Sequence, residues 1–508
     1  MTQSDSARRN FLKLGLAGGS LALSEFGFLH RLPAVTAAEP KLPADAVQFS
    51  PDIEPLVRLL EETPREKVIE VFANKIHSGT SYTQVLAALL LAGVRNVEPR
   101  PSVGFKFHAV LVVNSAHLAS QAAVDNDRWL PIFWALDYFK SSQSRDEQEG
   151  NWTMAAVNES RLPSESSVRR AFRRAMDTWD VEAADVAIAQ LCRVVGATEL
   201  FDLLAHYGCR DYRSIGHKAI FVANAFRTLQ CIGWRYAEPV LRSLAYALLN
   251  HTDEPNPAES DLAPDAAWRI TQKKVAESGN WSDGKLDNEA TLALLDVLRT
   301  ATPTEAVEAT AELLSGGVAT QSISDALFLS AGELLAQQPG IVSLHSATTT
   351  NALQYAYRTT HREKTRRELI LQNAAFIPHF RESMRSRGKV GAARINDAIE
   401  LNQPVEPADV ETIFSLVSQN RTQAAQSMLG YLNAGGEADA LISAARRLVF
   451  LKGNDSHDYK FSSAVLEDYH AVSPNFRNAY LASAAHLLPG SQDSGNGLIE
   501  RVRDALNS

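Results

Sequence analysis

From Pro51 to the C-terminus the chain places apolar residues three and four apart, and it almost nowhere alternates apolar with polar. That period keeps one face of an α-helix against a core, whereas a half-buried strand needs a period of two. The expectation is an all-α fold. Most breaks between helical stretches are short, so neighbouring helices run antiparallel, as a large helical bundle or a HEAT-like stacked helix-pair array. The segment His108–Ala119 is apolar nearly all round and reads as one buried helix. Two long polar gaps interrupt the run. Residues 141–167 (SSQSRDEQEG, then LPSESS) read as a surface excursion, and 250–264 closes a first half. The body therefore divides into an N-terminal helical block, 39–300, and a C-terminal helical block, 301–508. Thr304 before Glu305, and Ser322 or Ser324 before Ala326, supply helix-start chemistry in the second block.

The first residues carry an address rather than structure. Ser6–Lys13 reads SARRNFLK, followed by a weakly apolar stretch and the small residues Ala34–Ala38. Residues 1–38 resemble a bacterial twin-arginine (Tat) signal peptide, with Ala7 standing where Ser or Thr usually precedes the arginines. The resemblance implies passage through the Tat export machinery and a periplasmic or secreted location. Export by this route carries folded cargo, often with a cofactor already inserted. The formal net charge of −9 argues against nucleic acid as the main partner, because phosphate binding needs a basic face. No later apolar run reaches the roughly 20 residues that span a bilayer. Cys192, Cys209 and Cys231 are too few for a disulfide framework and too far apart for a CxxC site.

The chemistry-bearing residues are histidines at the starts of apolar stretches. In Asp211–Leu249 a polar turn delivers His217 to a long apolar helix, and the same layout recurs at His77, His108, His345 and His457. A carboxamide follows four of them by about two turns: Gln84, Asn114, Asn224 and Asn351. A helix N-terminus disfavours the imidazolium, leaving a neutral ring able to ligate a metal. The same position equally suits a helix cap. His108 and His117 are nine residues apart, two and a half turns, so a single helix cannot aim both at one site. Gly453–Lys460 (GNDSHDYK) gathers His457, two carboxylates, a tyrosine and a lysine, with Asp458 and Lys460 as an acid–base pair. Asp325 and Glu333 lie on a largely apolar helix and need partners or a function, since an unpaired buried carboxylate is costly. Phosphate loops, nucleophile elbows and HExxH motifs are absent.

Four stretches, KIHSGTSYTQVLAALLLAG, GHKAIFVANAFRTL with AEPVLRSLAYALL, SLHSATTTNALQYAY and GNDSHDYKFSSAVLEDY, resemble the questin oxidase-like family of helical oxygenase-type proteins. The match covers about a quarter of the chain after its leader. It departs from the family in the first helix, where several histidines cluster and here only His77 remains. The resemblance implies a redox enzyme acting on a hydrophobic organic molecule.

The leading expectation is an exported all-α oxidoreductase in which His77, His108, His217, His345 and His457 hold a transition metal, with Asp458 or Glu333 contributing. Imidazole and carboxylate suit iron, copper or zinc, and iron is the expected ion. Tyr82, Phe105, Phe107, Phe221 and Tyr355 are candidates to line a pocket for a small organic substrate. The alternative is a HEAT-like scaffold that binds a protein partner and catalyses nothing.

Overall fold

Helix follows helix from Glu54 to Asn507, and the described residues form no strand beyond isolated bridges such as Lys285 to Val318. The computed structural model describes residue 43 and residues 45–99, 105–249, 262–277, 279, 281, 283–400 and 408–508. The twin-arginine segment and most of the 250–264 gap lie outside the described residues. By contacts the chain divides into Met1–Ala46 and Val47–Ser508, and the second unit holds everything considered below. None of the described helices is long and apolar enough to cross a membrane.

The helices around the polar centre are α1 (His108–Leu111), α2 (Leu130–Glu149), α3 (His217–Ile232), α4 (Asn288–Leu298), α5 (Thr320–Gln337), α6 (Ile341–Thr359), α7 (Glu363–Arg385) and α8 (Ser456–Asp468). α6 is the hub. It packs against α3, α5, α7 and α8, and α3 in turn touches α1. Its polar stretch, His345 through Asn351, is buried throughout. The apolar core forms two clusters. One joins Ile53 to Val502, near the two ends of the unit, and the other gathers side chains from Leu295 to Leu488.

Several element limits differ from the sequence expectation for identifiable reasons. The first helix of the second block starts at Pro303, capped by Thr302 in a reciprocal box with Glu305, because proline fits the first helical position. α5 starts at Thr320, so Ser322 and Ser324 are buried inside it. α2 continues through SSQSRDEQE to Glu149, so the surface excursion begins only at Gly150. Polarity alone does not end a helix when Gly and Pro are missing. The expected single helix His108–Ala119 is instead two, His108–Leu111 and Val113–Ala122, joined at Val112. Asn224 of α3 donates to the Leu111 carbonyl at 2.8 Å, satisfying an acceptor at that break. All three cysteines are free thiols, and burial pushes that of Cys209 well up.

Candidate metal centre

The centre begins with a backbone turn that few sequences tolerate. Ser214 (φ 56°, ψ 33°) and Ile215 (φ 46°, ψ 45°) are left-handed, and Gly216 follows at φ 83°. Each left-handed non-glycine residue costs about 1–2 kcal/mol. Buried ionic contacts hold the turn. Asp211 accepts from the Arg213 amide (3.0 Å) and from the Lys218 ammonium (2.9 Å), while the Arg213 guanidinium grips Asp265. Burial raises the cost of the Asp211 charge, but Lys218, Arg210 and Arg213 outweigh it and hold the carboxyl below its ordinary range. Burial also brings Lys218 down to about 8.

The turn aims one ring. The Ser214 carbonyl lies 2.6 Å from His217 Nδ1. On α6 the Ile341 carbonyl, one turn back, lies 2.6 Å from His345 Nδ1. A carbonyl can only accept, so both Nδ1 atoms carry the proton and both Nε2 atoms, in neutral rings, present acceptor lone pairs. His457, at the start of α8, has Nδ1 2.6 Å from Asp455 Oδ1, so its Nε2 is likewise an acceptor. That Nε2 is buried with no hydrogen-bond partner among the described residues.

These rings converge. His217 Nε2 stands 3.0 Å from His108 Nε2 and 2.9 Å from His345 Nε2. The His108 and His457 ring centroids are 4.5 Å apart, and those of His345 and His457 5.2 Å. Nitrogens of His108, His345 and His457 lie within 4.8 Å of one another and can hold a metal ion. Two imidazoles bound at about 2.0–2.1 Å to one ion bring their nitrogens to about 2.9 Å at a right angle and about 3.4 Å at a tetrahedral one. The spacing fits a shared ion.

The alternative to an ion is a proton, and the surroundings oppose it. Burial pushes His217, His345 and His108 well below the ordinary imidazole range, with Lys460 adding to the effect on each. Lys460, one turn after His457 on α8, is buried and donates to His217 Nε2 at 3.5 Å. Burial brings its ammonium down to about 7. A neutral His217–His345 pair therefore sets two lone pairs 2.9 Å apart, an arrangement a bound cation relieves. The orphaned His457 Nε2 points to the same conclusion. The donor set is imidazole, which suits first-row transition ions, whereas magnesium and calcium require oxygen ligands.

Beside the cluster lies a cleft of about 480 Å³, lined by His108, His217, His345 and His457 together with Tyr138 and Arg387. Lys106 also lines it, but its ammonium is held by Asp146 (2.7 Å) and Glu149 (3.2 Å).

Of the residues expected at the site, four histidines and Lys460 meet there and others do not. His77 is exposed at the end of its helix, its Nε2 3.0 Å from the Leu506 carbonyl, so it serves a helix–helix contact at the surface. Asp458 closes the α8 capping box, accepting from the amides of Asn454 (3.0 Å) and Asp455 (3.1 Å). It is not among the residues lining the cleft, and the carboxylate beside the cluster is Asp455. Glu333 is engaged elsewhere by Arg299 at 2.9 Å. Asp325 accepts from Gln321 and from the Ser473 amide. His117 bonds the Tyr82 hydroxyl at 2.9 Å, away from the cluster, although the break at Val112 removes the single helix on which its spacing from His108 was judged.

The aromatic residues proposed for a pocket are occupied in packing. Phe107 and Phe221 meet edge to face, and Tyr355 lies under Arg227. The side chain of Phe105 lies outside those described. Tyr138 lines the cleft in their place, from the part of α2 just before the polar tail. Asp455 carried one usable signal, an acidic residue two before a histidine at a helix start. The carbonyls of Ser214 and Ile341 carried none.

No family model, no curated protein and no solved structure matches the chain.

Proposed function

We propose that the chain is an exported, metal-dependent oxidoreductase that acts on a small organic molecule bound in the cleft beside His108, His217, His345 and His457. The observation that carries the reading is that nitrogens of His108, His345 and His457 lie within 4.8 Å of one another beside His217, while the outer nitrogens of His217, His345 and His457 are tied to Ser214, Ile341 and Asp455. Such outer hydrogen bonds fix the tautomer and orientation of ligand histidines. Iron is the proposed ion, in keeping with the resemblance to helical oxygenase-type proteins. Export rests on the arginine pair Arg8-Arg9 and the small-residue run behind it. A transition ion in this cage would supply electron transfer or polarisation of a bound oxygen atom.

The chain's own groups have separable tasks in this reading. His217 and His345 are held by carbonyls and cannot rotate without breaking short bonds. The buried Lys460 amine, 3.5 Å from His217 Nε2, lies behind the cleft and holds that ring from the protein side. Tyr138 provides an aromatic wall and Arg387 a cation at the rim. The cleft's volume of about 480 Å³ falls within the range typical of small-molecule sites.

The test is metal analysis of protein purified without chelators or affinity metals, followed by substitution of His217 and His345 by alanine. The proposal requires a tightly held transition ion in the parent and its loss in both variants with the fold intact. A parent with no transition ion above background, and no saturable uptake on reconstitution, would sink it.

A further inference from the structure

We propose that a second cavity, between the end of α4, α5 and the end of α7, binds an organic oxyanion: a phosphate or carboxylate head on a short apolar body. The inference does not depend on the metal centre. The cavity measures about 400 Å³, and its lining includes Arg299, Arg381, Arg385 and Arg394 together with apolar side chains such as Leu298 and Ile377. The carboxylate lining it, Glu333, is already engaged. It accepts from Arg299 (2.9 Å), from the Ile395 amide (3.0 Å) and from Gln337 (3.2 Å).

The remaining arginines lack such compensation. Arg381 is only 9% exposed and forms no ion pair among the described residues. Its two terminal nitrogens donate to the carbonyls of Leu298, the last residue of α4, and Ala301 just beyond it, and its Nε is buried with no partner among the described residues. Capping the end of α4 explains the first two nitrogens, but not the orphaned one. Arg394 makes no ion pair among the described residues, and Arg385 has one exposed ion pair, with Glu382 at 3.6 Å. A basic cavity in a chain of formal net charge −9 runs against the background.

The rim is built rather than left open. Gly391 N–H donates to the Gln337 carbonyl at 2.8 Å, and a Cβ at Gly391 would meet that oxygen at 2.9 Å. Gln337 in return donates to the Ala393 carbonyl at 2.9 Å, so the segment carrying Arg394 is fastened to the end of α5. Guanidinium groups grip oxyanions through paired hydrogen bonds, and the apolar side chains of the lining ask for a hydrocarbon body behind the head.

The experiment is calorimetric titration of the full chain with hexyl phosphate, hexanoate and inorganic phosphate at matched ionic strength. Hexyl phosphate is expected to saturate with Kd below about 1 mM and to bind about tenfold or more tighter than inorganic phosphate, since burial of its chain adds to the head's contacts. Hexanoate is expected to bind as well, more weakly. The double variant R385A/R394A alters two exposed side chains, so it should unfold like the parent while losing about tenfold or more in hexyl phosphate affinity. Absence of saturable binding, equal affinity for phosphate and hexyl phosphate, or unchanged affinity in the double variant would overturn the proposal.

Discussion

Replacing Gly216 with alanine loads the turn that aims His217, and the structure gives the size of the effect. At φ +83° an added side chain costs about 1 kcal/mol in backbone conformation alone. The new Cβ would also run into Thr349 Oγ1, and would stand 2.8 Å from its Cγ2 and 3.0 Å from its Cβ. Ordinary non-bonded contacts lie near about 3.5 Å, so the turn and α6 must separate by about 1 Å. Thr349 is one helical turn beyond His345, so the same displacement parts His217 from His345, now 2.9 Å apart. We expect G216A to lose about 2–4 kcal/mol in chemical unfolding, combining strain with overpacking. Transition-metal affinity should fall by about 10–100-fold, as when an outer support of a ligand is lost. Thr349 Oγ1 has no hydrogen-bond partner among the described residues, so T349A alone should be mild. In G216A/T349A the two closest contacts vanish and part of both losses should return. Wild-type stability and wild-type metal affinity in G216A would refute the argument that this turn holds the ligand.

Other expectations can be checked separately. D455N keeps the α8 cap but weakens the charge-assisted bond to His457 Nδ1, and should cut metal affinity by about tenfold or more, read by competition with a chromophoric chelator. Arg95 is fully buried between Glu54 and Glu61, so R95M leaves carboxylates without their cation and should cost about 3–5 kcal/mol in denaturant unfolding, partly recovered in R95M/E61Q. His379 stacks on Tyr212, and burial brings its imidazole down to about 4 from an ordinary 6.5. The unfolded chain takes up that proton near 6.5 and the fold only near 4, so stability drains away as pH falls through this window. The slope there is about 1.4 kcal/mol for each pH unit. H379F should therefore show a flatter acid limb in unfolding temperature between those pH values and little change above them.

The helical class was legible because period alone distinguishes helix from strand, and His217 was legible because Gly216 precedes it at the head of an apolar run. His108, His345 and His457 lack the glycine but also stand close to apolar runs, and they do converge. His77 shares it too and does not, since its helix ends at the surface against the last helix of the chain. Nothing in a local pattern separates these cases, because convergence is decided by which helices pack on α6. The start of α6 was also out of reach. The chain turns helical at Ile341, four residues before the histidine expected to head the stretch, so His345 lies inside the helix and takes its support from Ile341. Asp458 looked chemical because carboxylates near histidines often are, yet the capping box claims it and leaves Asp455 beside the ring. Arg387 follows α7 in an unremarkable polar stretch, and only the fold brings it to the cleft.

The proposed function turns on whether His108, His345 and His457, with His217 beside them, surround one ion. X-ray absorption on the reconstituted full chain measures this directly, because imidazole rings leave a characteristic outer-shell scattering pattern. The expected result is a transition ion bound by three or four imidazole nitrogens at about 2.0–2.1 Å, with the pattern lost in H217A and H345A. An ion coordinated mainly by oxygen, or one retained unchanged when His217 and His345 are removed, would contradict it.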